Sequence, residues 1–256
     1  MSRPSSLHLL HTQPDARLLA AWVARHHTRH ERQPSDLGDA LHGLLRAAFG
    51  EAAPQPFRYL DERQGLLAYT ALDADAMRAQ VALADPLAAQ TLGLGANGRH
   101  DGYRLRPFPV RWAVGQVLGF EVRLRPTVRA AKGERDAFLH AVEQARGAPL
   151  QREAVYVQWL REHLAPREST AREAWQGAVD LLEDVHLAGF QRQQVVRRTQ
   201  AAGGEVRRGR VIDGPDALLK GHLRVRDPAA FEQLLARGVG RHRAFGFGML
   251  LLSRPG

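Results

Sequence analysis

Two stretches carry side chains able to move protons and hold phosphate. The first, D-L-G-D-A-L-H-G-L-L-R-A-A-F at 36–49, reads as a helix capped by Ser35 or Asp36. On a 3.6-residue wheel Leu37, Leu41, Leu44, Leu45 and Ala48 form its buried stripe, His42 lies at the border, and Arg46 follows one turn along the same edge. An imidazole there can reach a groove while its helix stays packed, and it titrates near neutrality, so it suits general acid or base work beside a guanidinium that stabilises developing negative charge. The alternative for His42 is a half-buried structural histidine. The second stretch, G-V-G-R-H-R-A-F-G-F-G-M-L-L-L at 238–252, alternates Gly238, Gly240, Gly246 and Gly248 with Arg241, His242 and Arg243. Glycine lets the backbone turn tightly and approach an anion, so a phosphate chain is the expected partner, and a plain turn with solvated arginines is the alternative. Met249 to Leu252 reads as the strand that anchors it.

Other basic clusters surround these two. R-H-H-T-R-H-E-R at 25–32 places His26, His27 and His30 beside Arg25. Pairs of histidines at i to i+3 or i+4 share a helical face, yet no third protein ligand stands nearby, so no metal is expected and a solvated or RNA-facing cluster is. F-E-V-R-L-R at 120–125 alternates as a strand with Arg123 and Arg125 on one face, and Arg129, Lys132 and Arg135 continue the charge through the following loop. Q-R-Q-Q-V-V-R-R-T-Q-A-A-G-G-E-V-R-R-G-R-V reads as a hairpin turning at 201–204, whose Arg192, Arg197, Arg198, Arg207, Arg208 and Arg210 could straddle a duplex backbone or form a solvated ribbon.

The elements needed to position these groups fall into two runs. Strands at 7–11, 57–62, 65–70 and 103–108 alternate with helices at 15–27, 36–49 and 73–83, which is the ferredoxin-like order and places a first domain at 1–115. Extended chain is expected at 110–114. A second domain, 116–256, starts with the strand at 120–125 and carries helices at 152–164, 169–186 and 227–236, the basic hairpin and a strand at 218–225. The chain has 256 residues, 44% apolar and 25% charged, ordinary values for a globular protein. Its balance of 36 Lys plus Arg against 27 Asp plus Glu, net +9 and almost all arginine, favours nucleic acid. Without cysteine there is no disulfide, thiolate nucleophile or Cys-ligated zinc. No signal peptide or long apolar run is apparent, so a cytoplasmic protein with no membrane partner is expected.

In this order the motifs resemble a known family, the CRISPR repeat-RNA processing endoribonucleases of the CasE-like branch of the RAMP superfamily. Three stretches carry the resemblance: 36–49 with P-F-R-Y-L at 56–60, then F-E-V-R-L-R-P-T-V at 120–128 with R-E-A-V-Y-V-Q-W-L-R-E-H-L at 152–164, then L-L-K-G-H-L-R-V-R-D-P-A-A-F-E-Q-L-L-A-R followed by the glycine loop at 218–252. It implies an α+β fold of two tandem ferredoxin-like domains with helical and basic hairpin insertions. It also implies cleavage of precursor repeat RNA at the 3′ base of its hairpin, without metal or cofactor, by attack of the ribose 2′-hydroxyl to leave a 2′,3′-cyclic phosphate. The partners implied are precursor RNA, the mature crRNA hairpin and other subunits of a CRISPR effector complex; a non-catalytic hairpin-binding subunit is the alternative. His42 takes the family's histidine position and Arg46 follows as charge stabiliser. Family members often carry a tyrosine three residues before the histidine, where this chain has Asp39, so Arg25, His27 and His30 become candidates for the second catalytic role. Arg123, Arg125, Arg241, His242 and Arg243 occupy the family's RNA-contacting positions. The helix at 169–186 and the long stretch at 12–35 fit a divergent branch, with the type IV system homologue as one possibility.

Overall fold

The computed structural model describes residues 7–28, 37–95, 102–108, 111–130, 133–166, 173–198 and 209–255, and the side chains of all of these except 26–28, 195–198 and 209–212. The chain divides into two compact units. One comprises Met1–Phe108, Gln193–Asp213 and Ala244–Gly246; the other comprises Pro109–Arg192, Gly214–Arg243 and Phe247–Gly256.

The first unit runs β1 (His8–Thr12), α1 (Ala16–Thr28), α2 (Leu37–Phe49), a 3₁₀ turn (Gly50–Ala52), β2 (Phe57–Asp61), β3 (Gly65–Thr70), α3 (Ala74–Ala82), α4 (Pro86–Leu92) and β4 (Tyr103–Pro107). Its strands pair antiparallel in the order β2-β3-β1-β4, the ferredoxin-like arrangement. Period-two alternation sends Leu10 of β1, Phe57 of β2 and Leu66 and Ala68 of β3 to one face, where they form a core with Leu41, Leu44, Leu45, Ala48 and Phe49 of α2. Aspartates start the helices. Asp15 accepts from the Leu18 amide at 2.9 Å, Asp73 from Ala76 at 2.9 Å and Asp85 from Ala88 at 2.8 Å, each relieving an orphan donor of a first turn.

The second unit contains β5 (Val117–Leu124), β6 (Thr127–Ala130), β7 (Gly133–Asp136), α5 (Ala137–Gln144), α6 (Arg152–Leu164), β8 (Val179–Leu181), α7 (Pro228–Arg237) and β11 (Leu250–Ser253), together with most of β9 (His186–Arg198) and β10 (Gly209–Val225). Its sheet order, β11-β5-β10-β8 with β9 paired to β10, repeats the first pattern: the last strand lies beside the first, and the third lies beside the first on its other side. The expected class, α+β with two tandem ferredoxin-like domains, is therefore the observed one. Asp227 accepts from the Ala229 and Ala230 amides at 2.9 and 3.0 Å and opens α7 with Pro228 at its first position.

Several local expectations need correction. The expected helix at 169–186 is replaced in its described part by turns through 173–178, the short strand β8 and the start of β9. Val179 and Leu181 pair with Val225 and Leu223, and that ladder overrides the helical propensity of D-L-L-E-D. The segment read as a basic loop at 129–135 is instead the β6–β7 hairpin, and 111–114 is not a strand. The short helices α4 and α5 were not expected. The strand expected at 218–225 is the last part of the 17-residue β10. Among the described residues no helix is long and apolar enough to cross a membrane.

Candidate functional site

Helix α2 is fixed on its buried side by Ala40, Leu41, Leu44, Leu45, Ala48 and Phe49. The Trp22 indole N–H donates to the Ala40 carbonyl at 3.1 Å and ties α1 to it. His42 falls between the buried stripe and solvent and is half-buried. Its ring lies 5.0 Å from the Phe245 ring, tilted by 50°. Phe245 thus limits the imidazole on one side without an acceptor or donor of its own. Asp39, in the first turn of α2, stands three residues before His42, and Arg46 stands four after it. Arg46 forms an exposed ion pair with Glu51 of the 3₁₀ turn, Nη1 lying 3.2 Å from Oε2. The hydrogen bond from Arg46, then its charge, holds the Glu51 carboxyl below the usual range. Arg25 is exposed near the end of α1. The backbone of His27 belongs to α1 but its side chain, like that of His26, lies outside the described residues, as does His30 altogether.

The glycine-rich stretch of the second unit is closed by its own bonds. The Val239 amide donates to the Gly248 carbonyl at 2.8 Å and the Gly248 amide to the Arg123 carbonyl at 2.8 Å. Gly248 has φ +79°, and a Cβ there would meet the Val239 carbonyl oxygen at 2.2 Å, so glycine is required. Trp159 and His163 of α6 stack with their rings 5.0 Å apart, and His163 Nε2 accepts from the Gly240 amide at 3.2 Å. A ring nitrogen that accepts carries no proton, so His163 is protonated on Nδ1 when neutral.

The loop's cations already have an anion. Arg241 donates to Glu134 Oε1 at 2.7 Å, and His242 Nε2 lies 2.8 Å from Glu134 Oε2. Glu134 belongs to β7, directly across from Arg129 of β6. The hydrogen bond from His242, together with that from Arg241, holds the Glu134 carboxyl down to about 2 against the opposing effect of burial. His242 has φ +62°, an uncommon conformation for a residue with a side chain. Arg243 donates to the Arg237 carbonyl at 2.7 Å.

Arg123 and Arg125 differ from their expected role. Arg123 grips the buried carboxylate of Asp216 with two bonds, 2.7 and 2.6 Å, and lies over the Phe247 ring. Arg125 is only 2% exposed and also lies over Phe247, so its guanidinium has no surface to offer a phosphate here. Arg129 and Arg192 are exposed. Lys132, Arg207 and Arg208 lie outside the described residues, as do the side chains of Arg197, Arg198 and Arg210. Among the described residues no cluster of three His, Asp or Glu is placed to hold a metal.

Counting cations missed their partners. Glu134, Glu51, Asp216, His163 and Phe245 shape both regions, and all but Glu51 bond or pack across long sequence separations that no local motif announces. Glu51 follows Arg46 by only five residues, where α2 breaks into the 3₁₀ turn, and could have been suggested by spacing alone.

The family model described as "CRISPR associated protein" matches residues 9–254. The CRISPR endoribonuclease Cse3 bound to 19-nucleotide RNA is similar over 98% of this chain and 100% of its own, with 21% identity and a TM-score of 0.59. Cse3 of Thermus thermophilus, bound to an RNA representing a pre-cleavage complex, covers 97% of this chain with 99% of its own, at 21% identity and a TM-score of 0.55. No curated protein matches the sequence significantly.

Proposed function

The chain belongs to the CRISPR-associated protein family, and we propose that within it the chain is the metal-independent endoribonuclease that matures CRISPR RNA and keeps the hairpin product as a subunit of an effector complex. One observation carries the chemistry: His42 stands at the border of a packed helix, its ring against Phe245. RNA cleavage by the 2′-hydroxyl needs a base that removes the hydroxyl proton while the new O–P bond forms and the bond to the 5′-oxygen breaks; the leaving oxygen then takes up a proton. An imidazole fulfils one of these roles at neutral pH without metal. Arg46 stabilises charge on the phosphorane in this reading once its exposed pair with Glu51 opens, a small cost for a solvated ion pair. Arg25, His27 and His30 remain the candidates for the second proton transfer.

In this reading residues 1–115 carry the cleaving helix and 116–256 hold the RNA. Arg129, Lys132, Arg192 and the arginines of the β9–β10 hairpin contact the RNA backbone, and the glycine loop supports it through Gly238, Gly240, Gly246, Gly248 and the outer edge of Arg241, whose side chain is 54% exposed. The RNA-bound state of the two Cse3 structures supports this assignment.

The test is single-turnover cleavage of the cognate repeat RNA in excess EDTA. Cleavage to a 2′,3′-cyclic end is expected, and His42→Ala should slow it by about 10²–10⁴-fold with hairpin affinity retained. Tight hairpin binding without turnover would instead establish the non-catalytic subunit, the reading favoured by Asp39 standing where a tyrosine is common.

A further inference from the structure

The first unit's sheet has a second face. Helix α2 covers the side bearing Leu10, Leu66 and Ala68. The opposite side presents two rows in register across the strands. One row is Arg58, Leu67, His11 and Arg104, and the next is Tyr69, Leu9 and Arg106. Tyr69 is closed off by the Phe108 ring at 5.0 Å. The remainder forms a depression of about 190 Å³ lined by Leu9, His11, Leu67, Arg104 and Arg106. Its floor is aliphatic, one wall is an imidazole, and its rim is the edge strand β4 with two exposed arginines. Neither Arg104 nor Arg106 forms an ion pair with a described residue, whereas Arg46, Arg78, Arg123, Arg135, Arg152, Arg161, Arg226, Arg237 and Arg241 each have a carboxylate.

We infer that this face binds an unpaired stretch of RNA. The identity of the polymer rests on the RNA-processing reading above; the site shares no residue with His42 or the glycine loop and is assigned by neither. Arg104 and Arg106 stand two residues apart on one strand, about 6.8 Å, a spacing suited to successive phosphates of an extended chain. Leu9 and Leu67 offer a flat apolar floor to a base face, which a duplex would keep stacked on its neighbours and a single strand leaves open. His11 adds discrimination. Its Nε2 lies 2.9 Å from the Gln64 carbonyl oxygen, which can only accept, so the proton is on Nε2. In the neutral ring Nδ1 is then an acceptor, suited to a ribose 2′-hydroxyl donor that DNA lacks.

The test uses the full chain and fluorescence anisotropy with two probes, an unstructured oligoribonucleotide of about ten residues and a repeat hairpin trimmed of unpaired flanks. For the double variant Arg104→Ala/Arg106→Ala we expect about tenfold or greater loss of affinity for the single strand. The slope of log K against log salt should be shallower by about 1.4, the value for two phosphate contacts to a single strand. Hairpin affinity and its cleavage rate should stay within about twofold, because neither arginine belongs to that machinery. In His11→Phe the preference for the oligoribonucleotide over the same DNA sequence should disappear. Unchanged single-strand affinity in the double variant, or an equal loss for the trimmed hairpin, overturns the site. A wild-type chain that binds the single strand through these arginines yet neither binds nor cleaves the hairpin keeps the site and overturns the processing reading instead.

Discussion

In the glycine-rich loop Arg241 and His242 both reach Glu134, at 2.7 and 2.8 Å, and Arg243 donates to a main-chain carbonyl. On the outer face of the first sheet Arg104 and Arg106 have no carboxylate among the described residues. Both regions read as basic, and both add to the +9 of the sequence. A carboxylate within hydrogen-bond reach cancels most of a cation's field beyond about 8 Å at physiological salt, so only the second region presents its full charge to an approaching anion. The difference teaches that a count of arginines locates a polyanion only after each has been checked for a partner. The loop is built for shape, with Arg241 and His242 held against Glu134 inside it; the sheet face is built for charge.

If the loop is a rigid support, its glycines should be costly to replace. Gly248→Ala places a Cβ 2.2 Å from the Val239 carbonyl oxygen at φ +79°, and a loss of about 3 kcal/mol is expected from left-handed strain plus the overlap. Gly50→Ala, at φ +55° with nothing within 4 Å, is the control and should cost about 1 kcal/mol. Urea denaturation of both variants measures the contrast, and equal losses would show that the loop yields as freely as an open turn.

Glu134→Gln removes the anion that organises the loop. Replacing a largely buried carboxylate with two charge-assisted bonds should cost about 2 kcal/mol. The sign with pH follows from the direction of the shift. Glu134 has its folded-state pKa depressed to about 2, so its contribution is complete above the unfolded value near 4.3 and is lost as pH falls from there toward 2. The gap in stability between wild type and Glu134→Gln should therefore close across that window. A gap that stays constant would mean that the charge on Glu134 is not what holds Arg241 and His242.

How much of this was legible depended on the range of the interaction. Helix α6 was readable at both ends because Tyr156, Leu160 and Leu164 keep one buried face. The 4-1-3-2 pattern of the first sheet followed from alternation of strands and helices, whereas in the second sheet the edge strand β8 falls where a helix was expected. The stretch 173–186 misled, because D-L-L-E-D has the local composition of a helix, and the deciding partner, Leu223 to Val225, lies some 40 residues away. Helix α4 carried its signals openly, Asp85 as cap, Pro86 at the first position and Gly93 in left-handed conformation at its end, yet its seven residues are too few for periodicity to stand out. At the site, His42 was readable from the wheel of one helix. Phe245 beside it and Glu134 beside Arg241 were not, since they join residues 203 and 107 positions apart. Arg125 misled for a related reason: strand alternation places it on the face of Arg123 but does not reveal that Phe247 and Gly214 enclose it.

The smallest expected effect sharpens the comparison most. Arg241→Ala removes a loop cation that Glu134 already neutralises, so hairpin affinity should fall by less than about threefold and the salt slope should change by well under the 0.9 that one duplex phosphate contact contributes. The cost in stability should also be modest, about 0.5–1 kcal/mol, because the side chain is 54% exposed and His242 still holds Glu134. Measuring the salt dependence beside that of Arg104→Ala/Arg106→Ala, on the same RNA probes, ranks the two regions directly. A drop in hairpin affinity of about tenfold with a slope change near 0.9 would place Arg241 on a phosphate despite its carboxylate, and the ion pair with Glu134 would then be a resting state that RNA displaces.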